Sequence, residues 1–298
     1  MNTISTTERL TTTTTSTAAI EPKPRRHTYK YLLFLFILIM ALLWLVPVAM
    51  MIIVSLTPPD QRSAQFGGLL IKGVSLANYE TVFNDAPILR HFANSLIVTV
   101  PSVFLVVMVS SLAAFAFSRM RFVAKELLFF LLIVTLMLPI PTLIIPLFQI
   151  NRSLGLFDNY LGLILPYTAL GVPFAMIILR SFFDSFPKEI EEAAILDGCS
   201  QLDVYRRIMM PVSLPALSVV IIWQFMTSWN EFIVALVTMD TTALKPLTLV
   251  PLIYSGQFMA RPGVMFAVLT LITVPVILVY YTMQRYMIRG LTAGALKG

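Results

Sequence analysis

The chain contains one polar segment, residues 185–211, whose residue types suit a contact with another protein better than they suit catalysis. Pro187 fits the first turn of a helix, because a proline there leaves no intrahelical hydrogen bond unmade. Negative charge stabilises the same end of a helix, and the glutamates that supply it are Glu189, Glu191 and Glu192. Gly198 can adopt the left-handed conformation that ends a helix. The polar segment therefore predicts a short helix bounded by Pro187 and Gly198.

This predicted helix would carry two alanines on one face. Residues three and four apart lie on the same side of a helix, and those that share this side are Ile190, Ala193, Ala194 and Asp197. Small side chains let a neighbouring surface approach closely, so we interpret this face as a docking surface. A second short helix is predicted from about Gln201 to Met209, before Pro211. The alternative is an amphipathic connector that lies on lipid headgroups.

A second polar group, Trp229-Asn230-Glu231, falls near the outer end of a long apolar run. A carboxylate close to a membrane span is a functional candidate by default. An asparagine can hydrogen-bond sugar hydroxyls, and an indole ring can stack on the face of a pyranose. We therefore predict that Trp229, Asn230 and Glu231 line a transport pathway or its outer gate. The alternative is that they anchor the end of a helix at the membrane interface.

The sequence lacks the motifs of several other functions. It has no Gly-x-x-x-x-Gly-Lys-Ser/Thr loop to hold a phosphate and no His-Glu-x-x-His motif. The two histidines, His27 and His91, are too few and too far apart for a histidine-based metal site. The one cysteine, Cys199, excludes an internal disulfide and is interpreted as a small buried filler. We therefore expect neither an enzyme nor a protein with a cofactor or metal of its own.

The rest of the chain consists mainly of membrane-spanning elements. Only 12% of the 298 residues are charged and 58% are hydrophobic, whereas a soluble domain carries about 25% charged residues. A helix needs about 20 apolar residues to cross a bilayer. The charge-free runs of that length cover residues 31–59, 92–118, 127–151, 159–179, 208–230 and 262–284. These runs predict an all-α polytopic membrane protein with six transmembrane helices.

The distribution of Lys and Arg predicts the orientation of these helices. With the N-terminus in the cytoplasm, 15 of the 21 Lys and Arg residues lie on the cytoplasmic side, as the positive-inside rule requires. The net charge of +6 is thereby explained without a nucleic-acid partner. We expect a multi-pass protein of the cell inner membrane, surrounded by membrane lipids, with both termini and the polar segment in the cytoplasm.

The predicted organisation begins with a disordered cytoplasmic tail over residues 1–29 and a first transmembrane helix over 30–57. A periplasmic segment follows over 58–91, with a short amphipathic helix at 76–83. Residues 92–286 form a core of five spans, placed at about 95–117, 127–148, 160–182, 212–237 and 264–283. Three prolines in the third span, Pro139, Pro141 and Pro146, predict a bent or broken helix, which either borders a transport pathway or serves packing alone. Residues 287–298 form a cytoplasmic tail.

The polar segment resembles a known motif. The pattern begins with Glu192-Ala193-Ala194. Three residues separate Ala194 from Gly198, and nine separate Gly198 from the run Ile208 to Pro211. This pattern is similar to the EAA loop of type I binding-protein-dependent ABC importer permeases. Met210 stands where that family prefers leucine before the final proline, a swap that keeps the apolar volume. Trp229-Asn230-Glu231-Phe232 and the ending, residues 290–298, resemble the carbohydrate branch of the family, and in particular the maltose-type G permease.

The resemblance implies the type I ABC importer transmembrane fold and a set of partners. These are a second permease subunit in a heterodimer, two cytosolic ABC ATPase subunits, and a periplasmic or extracellular sugar-binding protein. ATP would be bound by the ATPase subunits, so this chain would hold no cofactor. The residues that would couple to the ATPase are Glu192, Ala193, Ala194, Asp197, Gly198, Ile208 and Pro211. Gly294 and Lys297 in the tail either contact the ATPase pair or belong to a frayed end.

The main alternative function is an ion-coupled secondary transporter that works without a separate ATPase. Such a protein would need buried carboxylates in several spans, whereas Glu231 is the one acidic residue near a predicted span interior. A membrane enzyme would need a nucleophile, metal or acid–base cluster. We therefore predict a permease subunit of an ATP-driven sugar importer. Maltose, trehalose, other α-glucosides and oligosaccharides all fit the sequence, and the resemblance leaves glycerol-phosphate-type ligands open as an alternative.

Overall fold

The computed structural model describes residues 26–58, 73–255 and 261–295, which contain helices and no strand. Residues 1–25 of the predicted tail lie outside this range. By its contacts the chain divides into two units, residues 1–48 and 49–298. The first unit holds most of α1 (Arg26–Ser55), which begins a few residues before the predicted first span. Pro47 lies inside this helix.

The second unit contains the remaining helices. A short helix, α2 (Ala77–Asp85), confirms the amphipathic helix predicted near residues 76–83. Three long helices follow at intervals, α3 (Ile88–Arg119), α6 (Leu161–Ser185) and α12 (Pro262–Ala295). Within the described residues, four helices including α1 are long and apolar enough to cross a membrane, and the number is as high as six if each of two bent helix pairs counts as one span. The predicted count of six spans agrees with this architecture.

The third span is broken, as its prolines predicted. Helix α4 (Lys125–Val134) continues through one 3₁₀ turn, Thr135–Met137, and α5 (Ile140–Ser153) then leaves at an angle of 106°. Leu138 and Pro139 are extended at the break. Leu138 precedes a proline, which disfavours helical geometry in the residue before it. Pro141 then sits in the first turn of α5, where its missing N–H costs no hydrogen bond.

The fifth span differs from the continuous helix predicted over residues 212–237. Helix α10 (Leu214–Trp229) ends after 16 residues, and α11 (Ile233–Thr238) begins beyond a short break. The carboxylate of Glu231 accepts hydrogen bonds from the backbone N–H groups of Val234, at 2.9 Å, and Ala235, at 3.1 Å. Glu231 therefore satisfies the free donors at the start of α11, which is the role of a helix cap.

Helix α3 lies at the centre of the second unit, where it packs against α6 and α10, and α10 packs in turn against α12. Helix α10 also packs against α6, and Gly171 on α6 permits a close approach there, because a Cβ at that position would overlap the amide of Gln224 on α10. The described residues form three core clusters. One lies beside the polar segment and includes Phe115, Phe183 and Met209, and a second surrounds Trp229. The third joins α6 to α11 and includes Leu163 and Val234.

Candidate functional site

The polar segment folds into two short helical pieces joined by a tight turn. Helix α7 (Lys188–Leu196) begins one residue after Pro187 and supplies the predicted first helix. The chain reverses at Gly198, whose φ of +88° is the left-handed conformation that favours glycine. A Cβ at Gly198 would meet no atom within 4 Å. The requirement for glycine at this position is therefore conformational and does not arise from crowding.

The second piece starts with a capping box. The Ser200 hydroxyl accepts a hydrogen bond from the backbone N–H of Asp203, at 3.2 Å, and donates to the Asp203 carboxylate, at 2.5 Å. This hydroxyl holds the pKa of Asp203 below its ordinary value. Helix α8 (Gln201–Asp203) continues through a π-helical stretch, Val204–Met209, into α9 (Met210–Val212). The predicted second helix is present, but with a widened turn in its middle.

One side of α7 faces the helix bundle through a buried ion pair. Glu191 accepts hydrogen bonds from Nε of Arg119, at 2.6 and 2.8 Å, and also pairs with Nη2 of the same guanidinium. The side chains of Arg119 and Glu191 are only 7% and 10% exposed. Arg119 also donates to the backbone oxygen of Phe186, at 3.2 Å. The last residue of α3 therefore fixes the start of α7.

This pairing divides the face that was predicted for docking. Ala194 lies three residues after Glu191, on the same inward side, and is 8% exposed against the core cluster beside the polar segment. Ile190, Ala193 and Asp197 are exposed. Glu192, which is also exposed, lies beside Ala193 on the outward side. The outward surface thus contains three of the seven predicted coupling residues, Glu192, Ala193 and Asp197, but excludes Ala194.

The outward surface also exposes apolar side chains that the sequence prediction did not select. Leu196 is 88% exposed, and Leu202 on the next helix is 55% exposed. Ile195 is 45% exposed, and Ile190, which the predicted docking face already included, is 47% exposed. Leu196 lies four residues after Glu192 and three after Ala193, so all three share one side of the helix. This spacing was the signal in the sequence that could have revealed this surface. We call Ile190, Glu192, Ala193, Leu196, Asp197 and Leu202 the α7 surface.

The remaining predicted coupling residues lie on the second piece. Ile208 is half-buried and packs against the core cluster beside the polar segment, and Pro211 is exposed in α9. Cys199 is also half-buried against that cluster, in keeping with its interpretation as a filler. Tyr205, in the π-helical stretch, is buried and shares a hydrogen bond of 2.7 Å with the Ser111 hydroxyl on α3. The second piece is thus also attached to α3.

A separate cavity of about 680 Å³ lies between the broken third span, α6 and α10. Its walls are mainly apolar, with Leu136, Leu143 and Leu170 among them. The rings of Phe174 and Trp223 stack at its edge with their centroids 4.6 Å apart. We call this space the α6–α10 cavity, and its volume is sufficient for a small molecule.

The polar groups of the α6–α10 cavity form a connected row. Gln224 donates to the hydroxyl of Ser228, at 2.7 Å, and to the backbone oxygen of Tyr167, at 3.2 Å. The Tyr167 hydroxyl donates to the carboxylate of Glu231, at 2.8 Å. These groups and Thr227 all line the cavity. The row gives the otherwise apolar wall a strip of hydrogen-bonding groups, as in sites that orient a polar ligand.

The three residues predicted at the pathway or outer gate are placed differently from one another. Glu231 lines the cavity while it caps α11. Trp229 is buried at 1% exposure, where its indole N–H donates to the backbone oxygen of Ile272, at 2.9 Å, and its ring stacks on Phe225. It contacts the core and does not line the cavity. Asn230 is exposed and its amide donates to its own helix.

The two tail residues fall at the limit of the structure. Gly294 belongs to the last turn of α12, and Lys297 lies outside the described residues. Their contact with an ATPase stays a prediction. Among the residues that the structure describes, no group of three or more His, Cys, Asp or Glu could hold a metal ion.

Comparison with known proteins extends these observations. Residues 106–293 match the family described as "Binding-protein-dependent transport system inner membrane component". The chain is similar to the osmoprotective compounds uptake permease protein GgtD of Synechocystis sp., with 32% identity over 86% of this chain and 89% of GgtD. It is also similar to the alpha-glucoside transport system permease protein AglG of Rhizobium meliloti, with 34% identity over 75% of this chain and 60% of AglG.

A solved structure shares the fold. It is the crystal structure of a bacterial ABC transporter involved in the import of the acidic polysaccharide alginate. One of its chains superposes with a TM-score of 0.75 over 87% of this chain and 96% of that chain, at 23% identity. This chain therefore shares its fold with a chain of that ABC transporter.

Proposed function

This chain belongs to the family of binding-protein-dependent transport system inner membrane components, as a permease of the carbohydrate branch of type I ABC importers, and we propose that it forms half of the translocation pathway of an ATP-driven sugar importer. Membership of this family implies ATPase and substrate-binding protein partners and a place in the membrane. We propose that a second permease completes the pathway, that both termini are cytoplasmic, and that a sugar is the cargo. The alpha-glucoside transport role of AglG supports this cargo class.

We propose further that the polar segment is the site where the ATPase docks. The observation that carries this proposal is the two-sided character of α7. Its inward side is held by the buried Arg119–Glu191 pair, whereas the α7 surface exposes acidic and apolar groups together. An apolar side chain as exposed as Leu196 gains free energy when a partner covers it. A helix fixed on one side and exposed on the other can transmit a displacement of its partner to the spans.

ATP needs no site on this chain in the proposed arrangement. The ATPase subunits bind and hydrolyse it, and their closure moves α7 together with α6 and α10, which flank the polar segment in sequence. The α6–α10 cavity would then border the pathway, with the row from Gln224 to Glu231 available to sugar hydroxyls. In the same arrangement the solute-binding protein docks at the outer surface and supplies most of the specificity for the sugar.

The docking proposal is tested by charge reversal on the α7 surface. The four-subunit complex is co-expressed with a tag on the ATPase, and the amount of this chain that co-purifies is measured. Glu192→Lys is expected to lower co-purification or to abolish ATP-dependent uptake. Glu80→Lys is the matched control, because Glu80 is exposed in the first turn of α2 on the predicted outer side. Normal assembly and normal uptake with Glu192→Lys would contradict the docking proposal.

The cargo and the orientation need separate experiments. A thermal-shift screen of the solute-binding protein encoded beside this chain, with maltose and trehalose among the probes, is expected to show stabilisation by a sugar. The proposed sugar cargo would be contradicted if no sugar stabilised the binding protein and a non-sugar ligand did. A reporter fused after Gly298 is expected to be active in its cytoplasmic form, and activity confined to the periplasm would contradict the topology.

A further inference from the structure

Polar side chains near each end of helix α3 form hydrogen bonds or an ion pair with another segment of the chain, and the two ends contact different segments. Its final residue, Arg119, pairs with Glu191 of α7 in a nearly dry environment. Eight residues earlier, Ser111 shares a buried hydrogen bond of 2.7 Å with Tyr205. The two pieces of the polar segment are therefore both attached to α3, although α3 is not adjacent to that segment in sequence.

The opposite end of α3 makes a second group of attachments. We call residues 240–247 the outer segment. The Nδ1–H of His91 donates to the backbone oxygen of Lys245, at 2.7 Å, since a carbonyl oxygen can only accept. The Asn94 amide donates to the backbone oxygens of Ala243, at 2.9 Å, and Lys245, at 3.0 Å. The Ser95 hydroxyl accepts from the backbone N–H of Leu247, at 2.8 Å.

Burial makes both groups of attachments specific. His91, Asn94 and Ser95 are each at most 3% exposed. Buried polar groups that lose their partners are costly, so each attachment favours a single arrangement of its two elements. Between the two groups, α3 is a continuous helix of 32 residues, about 48 Å long, and it packs along α6 and α10. Pro101 lies within this helix, but the helix continues through it without a break, so a displacement at one end can be transmitted to the other.

We infer that α3 acts as a rigid helix that fixes the position of the polar segment relative to the outer segment. The positioning residues at its proposed cytoplasmic end are Arg119, Glu191, Ser111 and Tyr205, and those at its outer end are His91, Asn94 and Ser95. This inference rests on the proposed function, because it requires that an ATPase moves α7. Contact between a binding protein and the outer segment would then be communicated to the ATPase through the second span. Such a coupling needs a measurement that separates it from mere stability.

The test uses two spin labels in the complete complex, with the permease pair and both ATPase subunits in lipid nanodiscs. One label replaces Leu89, which is exposed near the outer end of α3, and the other replaces Gln201, which is exposed at the start of α8. The native Cys199 is changed to Ser. Distances between the labels are measured without nucleotide and after trapping with MgATP and vanadate. The parent complex is expected to give the same narrow distance in both states.

The paired variant Arg119→Met/Glu191→Gln removes both charges and so avoids an unpaired carboxylate. It is expected to keep the parent distance without nucleotide, and to shift or broaden it by about 2 Å or more after trapping, which is the scale of helix shifts at moving interfaces. A purely structural role would alter both states alike. The matched control is Arg180→Met/Glu126→Gln, an ion pair between α6 and α4 that does not contact the polar segment. It is expected to behave like the parent.

A second variant covers the case in which the first does not assemble. Ser111→Ala/Tyr205→Phe removes both partners of one hydrogen bond, a change that is close to neutral for folding, and it should broaden the trapped distance alone. Parent-like distances in this variant, or a parent distance that itself changes on trapping, would overturn the inference. Failure of the parent complex to assemble or to trap vanadate would instead contradict the proposed function on which the inference rests.

Discussion

Truncation of Leu196 to alanine should weaken ATPase docking without affecting the fold. The side chain is 88% exposed, so its three outer carbons make few contacts within the chain, and the free energy of unfolding should change by less than about 0.5 kcal/mol. If the ATPase covers those carbons completely, their burial contributes about 0.8 kcal/mol each, or about 2.4 kcal/mol in total. The ATPase should then bind Leu196→Ala about 50-fold more weakly.

The assay measures binding of purified ATPase subunits to the immobilised permease pair in detergent, with the thermal unfolding midpoint of the pair recorded in parallel. Val123→Ala is the matched control. Val123 is 93% exposed and lies between α3 and α4, at the same predicted side of the membrane but outside the polar segment. The control should bind the ATPase like the parent. Equal affinity of Leu196→Ala and the parent would refute the reasoning that the α7 surface is covered in the complex.

Three further outcomes follow from other contacts. Arg119→Met alone leaves the 10%-exposed carboxylate of Glu191 without its partner, which should cost about 3–5 kcal/mol and lower the yield of folded chain. Glu126→Gln removes a 72%-exposed partner, and because solvent screens an exposed ion pair, its thermal midpoint should stay close to that of the parent. Similar thermal midpoints for the two variants would contradict this difference. Gly171→Ala would force a Cβ into the Gln224 amide and Val106. It should therefore destabilise the α6–α10 contact by about 1–3 kcal/mol, which thermal unfolding measures. An unchanged unfolding midpoint would contradict this crowding. The Thr241 hydroxyl and two backbone N–H groups hold the pKa of the Asp158 carboxyl below its ordinary value. Because the pKa is lower in the folded state, the stability that this carboxylate contributes is complete above about pH 4 and is lost as the pH falls further. The backbone amide of Thr241 should therefore be protected from hydrogen exchange at pH 5, and equal protection in Asp158→Ala at that pH would exclude the link.

The spans were predictable because their chemistry is local. A run of apolar residues long enough to cross a bilayer needs no distant partner to be identified, and the break in the third span follows from Pro139 and Pro141 themselves. The break in the fifth span was missed for the opposite reason. Nothing in the apolar sequence around Glu231 indicates that its carboxylate turns back to cap α11, so a continuous helix was the simpler expectation.

The orientation of α7 was also beyond the reach of local patterns. Helical spacing groups Ile190, Ala193, Ala194 and Asp197, but the side that is buried is chosen by Arg119, which lies 72 residues before Glu191 in the sequence. Trp229 shows the same limitation. Its residue type suits a sugar site or an interface, and only the neighbouring Phe225 and the Ile272 carbonyl, from α12, reveal that it is a core residue.

The separation between Arg119 and Glu191 also has a consequence for the synthesis of the protein. When α3 enters the membrane, Glu191 has not yet been made, so the guanidinium of Arg119 must remain among water and lipid phosphates while α4, α5 and α6 are inserted. A long basic side chain at a helix end can do this. The pair closes only after the ribosome has added the residues of α7. Assembly of the proposed ATPase-facing side is thereby delayed until three of the five spans of the core are in place, so a chain arrested before Lys188 should have no surface on which an ATPase subunit could dock prematurely.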